Sequence, residues 1–385
     1  MRKVVFDWGV SSFFGWGVYG LNLALEWAAD SEIELFAAAP INPRELSLDG
    51  ARLSRLDAFL RRSAAFQQRA RAGGLNGALR LAALGGDMRA QTLPMKEGAL
   101  IGVTFFESAL HPAVVARARA LPAIVAGSTW NERLLRAYGC QNVVTIVQGV
   151  DPALFCPGPR SPRFKDRFVI FSGGKAELRK GQDLVIAAFR IFAQKHPEAL
   201  LLTAWHSPWP QLAKTLDRSR IAAPIALDSA GRLDVKAWAA ANGINPDQAA
   251  DLGAQPNASM PDLLRDIDVA LLPSRAEGGT NLVAMEAMAA GAPVILSHNT
   301  GHRELVASGA TIALERQTRA PWGFAGVDGV EGWGESDVDE IVAALERVHA
   351  DRAASRAIGA KAAAFMRGMT WAQTAHRMKE LALAA

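Results

Sequence analysis

Cysteine is almost missing: Cys140 and Cys156 are the only two in 385 residues, and they lie neither in CxxC spacing nor beside a histidine cluster. This excludes a disulfide framework, suggests no zinc site and fits a reducing cytoplasm. Unbroken apolar runs of about 18 residues are also lacking, so no membrane-spanning helix is expected. The chain passes from Met1, Arg2 and Lys3 straight into a β-like run containing Asp7, which is not the pattern of a secretory leader. Net charge is only +4, and no basic groove with interleaved aromatics is visible, so nucleic acid is not an expected partner. Repeats, heptads and low-complexity tracts are absent.

What remains is an ordinary globular composition, 50% hydrophobic and 21% charged, on a chain too long for one hydrophobic core. Strand-like runs alternate with helical patterns: Val4–Asp7, a helix near Leu21–Ala29, Ile33–Ala39, Ile101–Phe106, Ala123–Ala126 and Val143–Val147. After the proline-rich stretch CPGPRSP (156–162) the rhythm restarts with Phe168–Ser172, the helix Leu184–Lys195, Ala199–Trp205, Val269–Pro273, the helix Asn281–Ala290 and Val294–Ser297. Such alternation predicts an α/β fold with two Rossmann-like domains built on parallel sheets. The expected divisions are 1–157, 158–365 and a last helical piece, 366–385, that includes Trp371–Leu383.

Two segments carry chemistry. In FSGGKAELRKGQDLV (171–185) a strand ends in small residues, so a loop can pass close to a ligand, and Lys175 and Lys180 can converge on an anion. Gly173, Gly174 and Gly181 remove side chains that would block that approach. Taken alone, the same lysines could equally sit in a solvated surface loop. In PSRAEGGTNLVAMEAMAAGAPVI (273–295) a buried strand leads through a glycine loop into a helix that opens near Thr280, with its hydroxyl as the expected N-cap. Backbone N–H groups of Thr280, Asn281 and Leu282 would then face an anion. Glu286 sits among Ala, Met and Leu further along that helix. It is either an exposed helix residue or a charged acceptor for the two ribose hydroxyls of a nucleotide.

These residues resemble the retaining glycosyltransferases of the GT-B fold, specifically their large fourth family. The resemblance rests on five stretches in order: VAGSTWNERLLRAYG (125–139), VVTIVQGVDPALF (143–155), the Lys175 and Lys180 loop, DLGAQPNASMPDLLRDIDVALLPS (251–274), and the segment with Glu277 and Glu286. It implies two domains facing across a cleft, with the last helix crossing back to the amino-terminal one. It also implies metal-independent transfer of a sugar from a nucleoside-diphosphate donor to an acceptor hydroxyl. Lys175 stands where the family has Arg, and Lys180 where it has Lys, on the donor diphosphate. The charge survives that change, but a bidentate fork does not. The glutamate loop is one residue longer than usual, so Glu286 inherits the ribose role, while Glu277 or Asn281 takes the place near the sugar hydroxyls.

Remaining candidates are read both ways. GWGVYG (15–20) matches a dinucleotide fingerprint, but it begins well after the first strand, and no acid ends the second. By resemblance Gly15 and Gly17 approach the donor phosphates; otherwise they only permit close helix packing. Glu107 is expected at the carboxyl end of a strand, facing the cleft, and His206 is a weaker candidate of the same kind. Asp266 and Asp268 are read as closing a helix before a buried strand, so no metal is assigned, and no cofactor beyond the donor. Seven arginines between 52 and 80 against the single acid Asp57 make either a solvated face or a contact for anionic lipid or a lipid-linked acceptor. The resulting expectation is a cytoplasmic enzyme of polysaccharide or glycoconjugate synthesis, peripheral on a membrane, with a carbohydrate or lipid-linked acceptor. A non-catalytic sugar-nucleotide binder, a phosphorylase and an epimerase are alternatives.

Overall fold

Residues 1–71, 77–90, 99–206, 208–320 and 331–385 are described by the computed structural model, without the side chains of residues 70 and 71. Six strands from the first part of the chain form one parallel sheet: β1 (Arg2–Phe6), β2 (Ile33–Ala37), β3 (Leu79–Leu84), β4 (Leu100–Thr104), β5 (Ala123–Ala126) and β6 (Val143–Thr145). Their order is β2-β1-β3-β4-β5-β6. A second parallel sheet holds β7 (Phe168–Gly173), β8 (Ala199–Ala204), β9 (Ala249–Asp251), β10 (Val269–Leu272), β11 (Val294–Ser297) and β12 (Ile312–Leu314), ordered β12-β11-β10-β7-β8-β9. A small antiparallel pair, β13 (Gln317–Arg319) with β14 (Gly334–Ser336), is appended. The expected α/β class with two Rossmann-like sheets is what the chain adopts.

The strands are apolar because each sheet is covered on both faces. Phe168, Ile170, Leu201, Val269 and Leu271 pack one face of the second sheet, together with Phe189 and Phe192 from the helix Gln182–Lys195. Val169, Phe171, Leu202, Ala270 and Leu272 point to the other face, toward Met285 and Met288. Period-two alternation thus splits each strand between two buried layers.

In each sheet the strand order reverses direction beside the first strand, between β1 and β3 and between β7 and β10. Ligands of open α/β sheets bind at such switch points, outside the carboxyl ends of the strands. The loops after β1, β3, β7 and β10 therefore mark where a site is expected.

The last helix, Trp371–Ala384, returns to the first sheet. Trp371, Ala375, Met378 and Ala382 join the core around Val4, Phe6 and Tyr19. Trp27 donates its indole N–H to the Ala375 carbonyl at 3.2 Å, and Lys379 reaches Asp30 at 2.6 Å. The helix enters through a close crossing at Gly149, where a Cβ would lie 2.2 Å from the backbone of Thr370. A capping box, Thr370 with Gln373, fixes its start.

No helix among the described residues is long and apolar enough to cross a membrane. The basic segment divides. Arg80 lies on β3 rather than on the helix Gly50–Arg71, and it is buried with its guanidinium on Asp7 of β1. On the helix, Arg52 reaches Asp151 at 2.6 Å, and Arg55 donates to the Leu25 carbonyl. The arginines thus serve internal contacts as well as a solvated face.

Candidate functional site

The carboxyl ends of the two sheets meet. Ser128 donates its hydroxyl to the Gly278 carbonyl at 2.8 Å, and the Trp333 indole donates to the Glu107 carbonyl at 2.6 Å. Gly278 lies so close to Phe105 that a Cβ would come within 2.1 Å of that carbonyl oxygen, so only glycine fits there.

At this junction stands a buried charge cluster. Lys180 donates to both oxygens of Glu277, at 2.8 and 2.9 Å. Arg179, only 2% exposed, bonds the Glu277 carboxylate at 2.9 Å and also bonds Glu177. It stands 3.2 Å from Glu107, which arrives from the other sheet just after β4. Lys175 pairs with Glu177 at 3.2 Å rather than sharing a carboxylate with Lys180. Ser274 and Asn281 complete the shell of Glu277, at 2.7 and 3.0 Å.

Electrostatics follow from that arrangement. Burial opposes ionisation of Glu277, but Lys180, then Arg179 and His302, outweigh it and hold the carboxyl well below the usual range. Burial likewise works against charge on Arg179, yet Glu107, Glu177 and Glu277 keep it firmly protonated. Glu107 leaves 31% of its side chain open to the cleft; even so, the surrounding protein pushes its carboxyl up, against the pull of Arg179. His302, fully buried, is lowered to about 4 by burial and is neutral at pH 7. A neutral ring donates from Nδ1 to the Ser297 carbonyl at 3.2 Å and accepts the Asn281 amide at Nε2, 3.0 Å away.

The helix after β10 runs from Leu282 to Ala289, and its N-cap is Asn281 rather than the expected Thr280. Asn281 has φ of +68°, a left-handed conformation that asparagine tolerates better than threonine. Its carbonyl oxygen caps Ala284, while its amide spans Glu277 and His302. Thr280 turns its hydroxyl to the Met285 sulfur instead. Among the described residues, the backbone N–H groups of Thr280, Asn281 and Leu282 have no protein acceptor. They lie near the end of β7, since a Cβ on Gly173 would be 2.9 Å from the Val283 side chain. Lys180 crosses over Gly174, whose φ of +108° suits glycine.

Glu286 is 8% exposed and accepts from the Asn257 amide, with no cation beside it among the described residues. Burial pushes its carboxyl up to about 8, with Asn257 pulling the other way. Asn257 also donates its backbone N–H to the Ser12 carbonyl at 2.7 Å, which places Glu286 next to the loop after β1. In that loop region Gly17 is packed so that a Cβ would be 2.6 Å from the Ser11 Cβ, whereas Gly15 begins the helix Gly15–Trp27 with open space around it.

Some residues lie outside the cluster. His206 stands 3.8 Å from Asp251, after β8. Asp266 ends the helix Met260–Asp266 and accepts from Ser161, and Asp268 accepts the Val169 N–H ahead of β10, both at the amino end of the sheet. The reading of this DID triplet as a helix end before a strand matches what is seen.

Five residues were not picked out from sequence: Arg179, Glu177, His302 and the pair Arg275 and Asp183. Arg275 is fully buried and grips both oxygens of Asp183 at 2.8 and 2.7 Å, tying the loop after β10 to the first turn of Gln182–Lys195. Its place inside PSRAE was the one available signal.

Residues 159–320 match the family described as glycosyl transferases group 1. No curated protein matches the sequence. Among solved structures, the chain is similar to a sucrose-phosphate synthase from Thermosynechococcus elongatus, with 18% identity, TM-score 0.68, and 99% of this chain and 98% of that one covered. It is also similar to HepE from Anabaena, solved in complex with UDP-glucose, with 15% identity, TM-score 0.64 and both chains covered in full at 100%. A third is an α,α-trehalose 6-phosphate synthase from Burkholderia multivorans, with 13% identity, TM-score 0.61, and 100% and 98% covered. These likenesses show the GT-B fold.

Proposed function

From a glycosyl transferases group 1 domain set in a GT-B frame, we propose that this chain transfers a sugar from a nucleoside-diphosphate donor to an acceptor hydroxyl, with retention and without a metal. One observation carries the reading. At the β7/β10 switch point, Lys180 shares Glu277 with Asn281 at a helix start whose backbone N–H groups have no acceptor among the described residues, Lys175 stands on Glu177 in the loop after β7, and a buried carboxyl, Glu286, sits on the same helix.

The chemistry follows from where charge develops. Departure of the nucleoside diphosphate builds negative charge on its β-phosphate; two ammonium groups and N–H donors at a helix terminus stabilise it there without reorganising. Glu277 holds Lys180 before donor arrives. As phosphate takes over that ammonium, Arg179 keeps Glu277 ionised, and its freed oxygen accepts from a donor-sugar hydroxyl. Glu286 takes the ribose hydroxyls, and Glu107 faces the transferred sugar from the opposite wall. Gly15, Gly17 and Gly174 let backbone approach the phosphates. Retention rests on the ordered motif set.

A carbohydrate or lipid-linked acceptor and a role in polysaccharide synthesis belong to the same proposal. So does contact of the helix Gly50–Arg71 with anionic lipid, supported by Arg69 on its solvent side. Flotation with phosphatidylglycerol vesicles tests that contact, and equal recovery with neutral vesicles removes it.

A thermal-shift panel of UDP, GDP and ADP, followed by hydrolysis of the matching donor and NMR of the released anomer, tests the reaction. The expected result is one preferred base, slow hydrolysis with retained configuration, and turnover indifferent to EDTA. Binding without any hydrolysis would leave a donor-binding module; no nucleotide response at all would end the reading.

A further inference from the structure

Away from the cleft, at the amino end of the second sheet, two histidines come together from distant parts of the chain. His196 ends the helix Gln182–Lys195, Glu198 follows just before β8, and His349 sits in the last turn of the helix Val338–Ala350. One ligand atom from each of the three lies within 4.8 Å of the others. The His349 Nε2 is 2.7 Å from Glu198 Oε1, and the His196 Nδ1 is 3.7 Å from the same oxygen. Ligands around tetrahedral zinc, at about 2.0–2.1 Å from the metal, stand roughly 3.3 Å apart, so small side-chain adjustments bring these three into range.

The fourth partner makes this more than a cluster. Glu346 Oε2 lies 2.9 Å from the Nε2 of His196, the nitrogen turned away from Glu198. In the neutral ring, an Nε2–H donated to Glu346 leaves the Nδ1 lone pair toward Glu198, where lone pairs of two acceptors meet. A cation between them resolves that conflict, and a carboxylate on the far nitrogen is how metal-bound histidines are commonly oriented. The rings are held in place: His196 lies 4.3 Å from Phe192, and His349 lies 4.9 Å edge-on to Phe168. Side chains are 16% exposed for His196, 23% for His349 and 35% for Glu198, so water and ions can reach the cluster. Two carboxylates face two imidazoles here, and Lys195, 3.5 Å from Glu346, offsets only one of them.

We propose that His196, His349 and Glu198 bind a zinc ion, with Glu346 orienting His196 and a water completing the tetrahedron. The ion joins the ends of two helices that pack on one face of the sheet. Six residues of β8, about 20 Å at 3.3 Å each, separate it from the carboxyl edge where the charge cluster lies, so its role is structural.

Zinc titrated into the full, metal-stripped chain should bind at one equivalent by calorimetry and raise the melting temperature. His196→Ala and His349→Ala should abolish both responses, and Glu346→Gln should weaken binding about 10- to 100-fold. Cobalt in place of zinc should give the visible bands of a four-coordinate ion with the parent chain and lose them in His349→Ala. A folded His196→Ala/His349→Ala variant that takes up zinc as the parent does would overturn the proposal. So would a parent chain with no saturable uptake, which would leave the cluster an ion-paired surface network. Donor hydrolysis is expected to be unchanged in these variants.

Discussion

Lys180 presents its ammonium to both oxygens of Glu277, at 2.8 and 2.9 Å, so a diphosphate reaching this lysine must compete with a carboxylate of the chain itself. Arg179 makes that exchange tolerable, because it bonds Glu277 independently. Lys180→Ala is therefore expected to fold, as shown by its circular dichroism, while donor turnover falls on the order of 100- to 1,000-fold. Near-normal turnover would remove Lys180 from the reaction.

Glu286 should give nucleotide binding a pH signature. With its carboxyl near 8, the group is mostly protonated at pH 7, and ribose hydroxyls donating to it favour the ionised form. Affinity should rise between pH 6 and 8, and calorimetry in buffers of different ionisation enthalpy should show proton release on binding. Glu286→Gln should bind more weakly and lose the excess slope. An equal slope in parent and variant would contradict the ribose assignment.

The same group acts on stability with a definite sign. Below about 4.5 it is protonated whether folded or not; as pH rises toward 8 the unfolded chain ionises while the folded one keeps its proton. The contribution present below 4.5 is thus lost as pH rises through about 8. Urea denaturation should show Glu286→Gln gaining stability relative to the parent at pH 8 compared with pH 5, and a constant difference would refute the shift.

Arg275 and Asp183, both with fully buried side chains, hold the loop after β10 in place. Arg275→Met strands the carboxylate and should cost about 3–5 kcal/mol in chemical denaturation, whereas adding Asp183→Leu should return much of that loss. Additive losses in the double variant would show that the pair is not the coupling element.

Trp371 is 3% exposed and packs 5.5 Å from Tyr19, against the first sheet rather than the second. Trp371→Ala should lower stability by about 3–5 kcal/mol. Its hydrogen-exchange effect should fall on β1 and the helix Gly15–Trp27, although the residue is remote from both in sequence. Protection lost only near the second sheet would place the helix wrongly.

Much of the frame was legible because strands buried on both faces read as short apolar runs, and Phe168, Ala123 and Val294 begin strands where those runs begin. β3 was hidden: Arg80 within it looked like part of a basic helix, and only its partner Asp7 explains a buried arginine there. β9 and β12, three residues each, are too short for a periodic signal. In the site, Lys180, Glu277 and Glu286 were legible from motif spacing, but Arg179 was not singled out. One of the three carboxylates around it, Glu107, comes from the other sheet. The N-cap was misplaced by one residue: asparagine caps at least as well as threonine, and this turn needs positive φ, which Asn281 supplies.

Crystallising the chain with the nucleoside diphosphate that stabilises it most would test the central claim directly. The diphosphate is expected within hydrogen-bonding distance of Lys180 and the backbone N–H groups of residues 280–282, with the ribose hydroxyls on Glu286. Nucleotide bound elsewhere, with Lys180 still closed on Glu277, would contradict it.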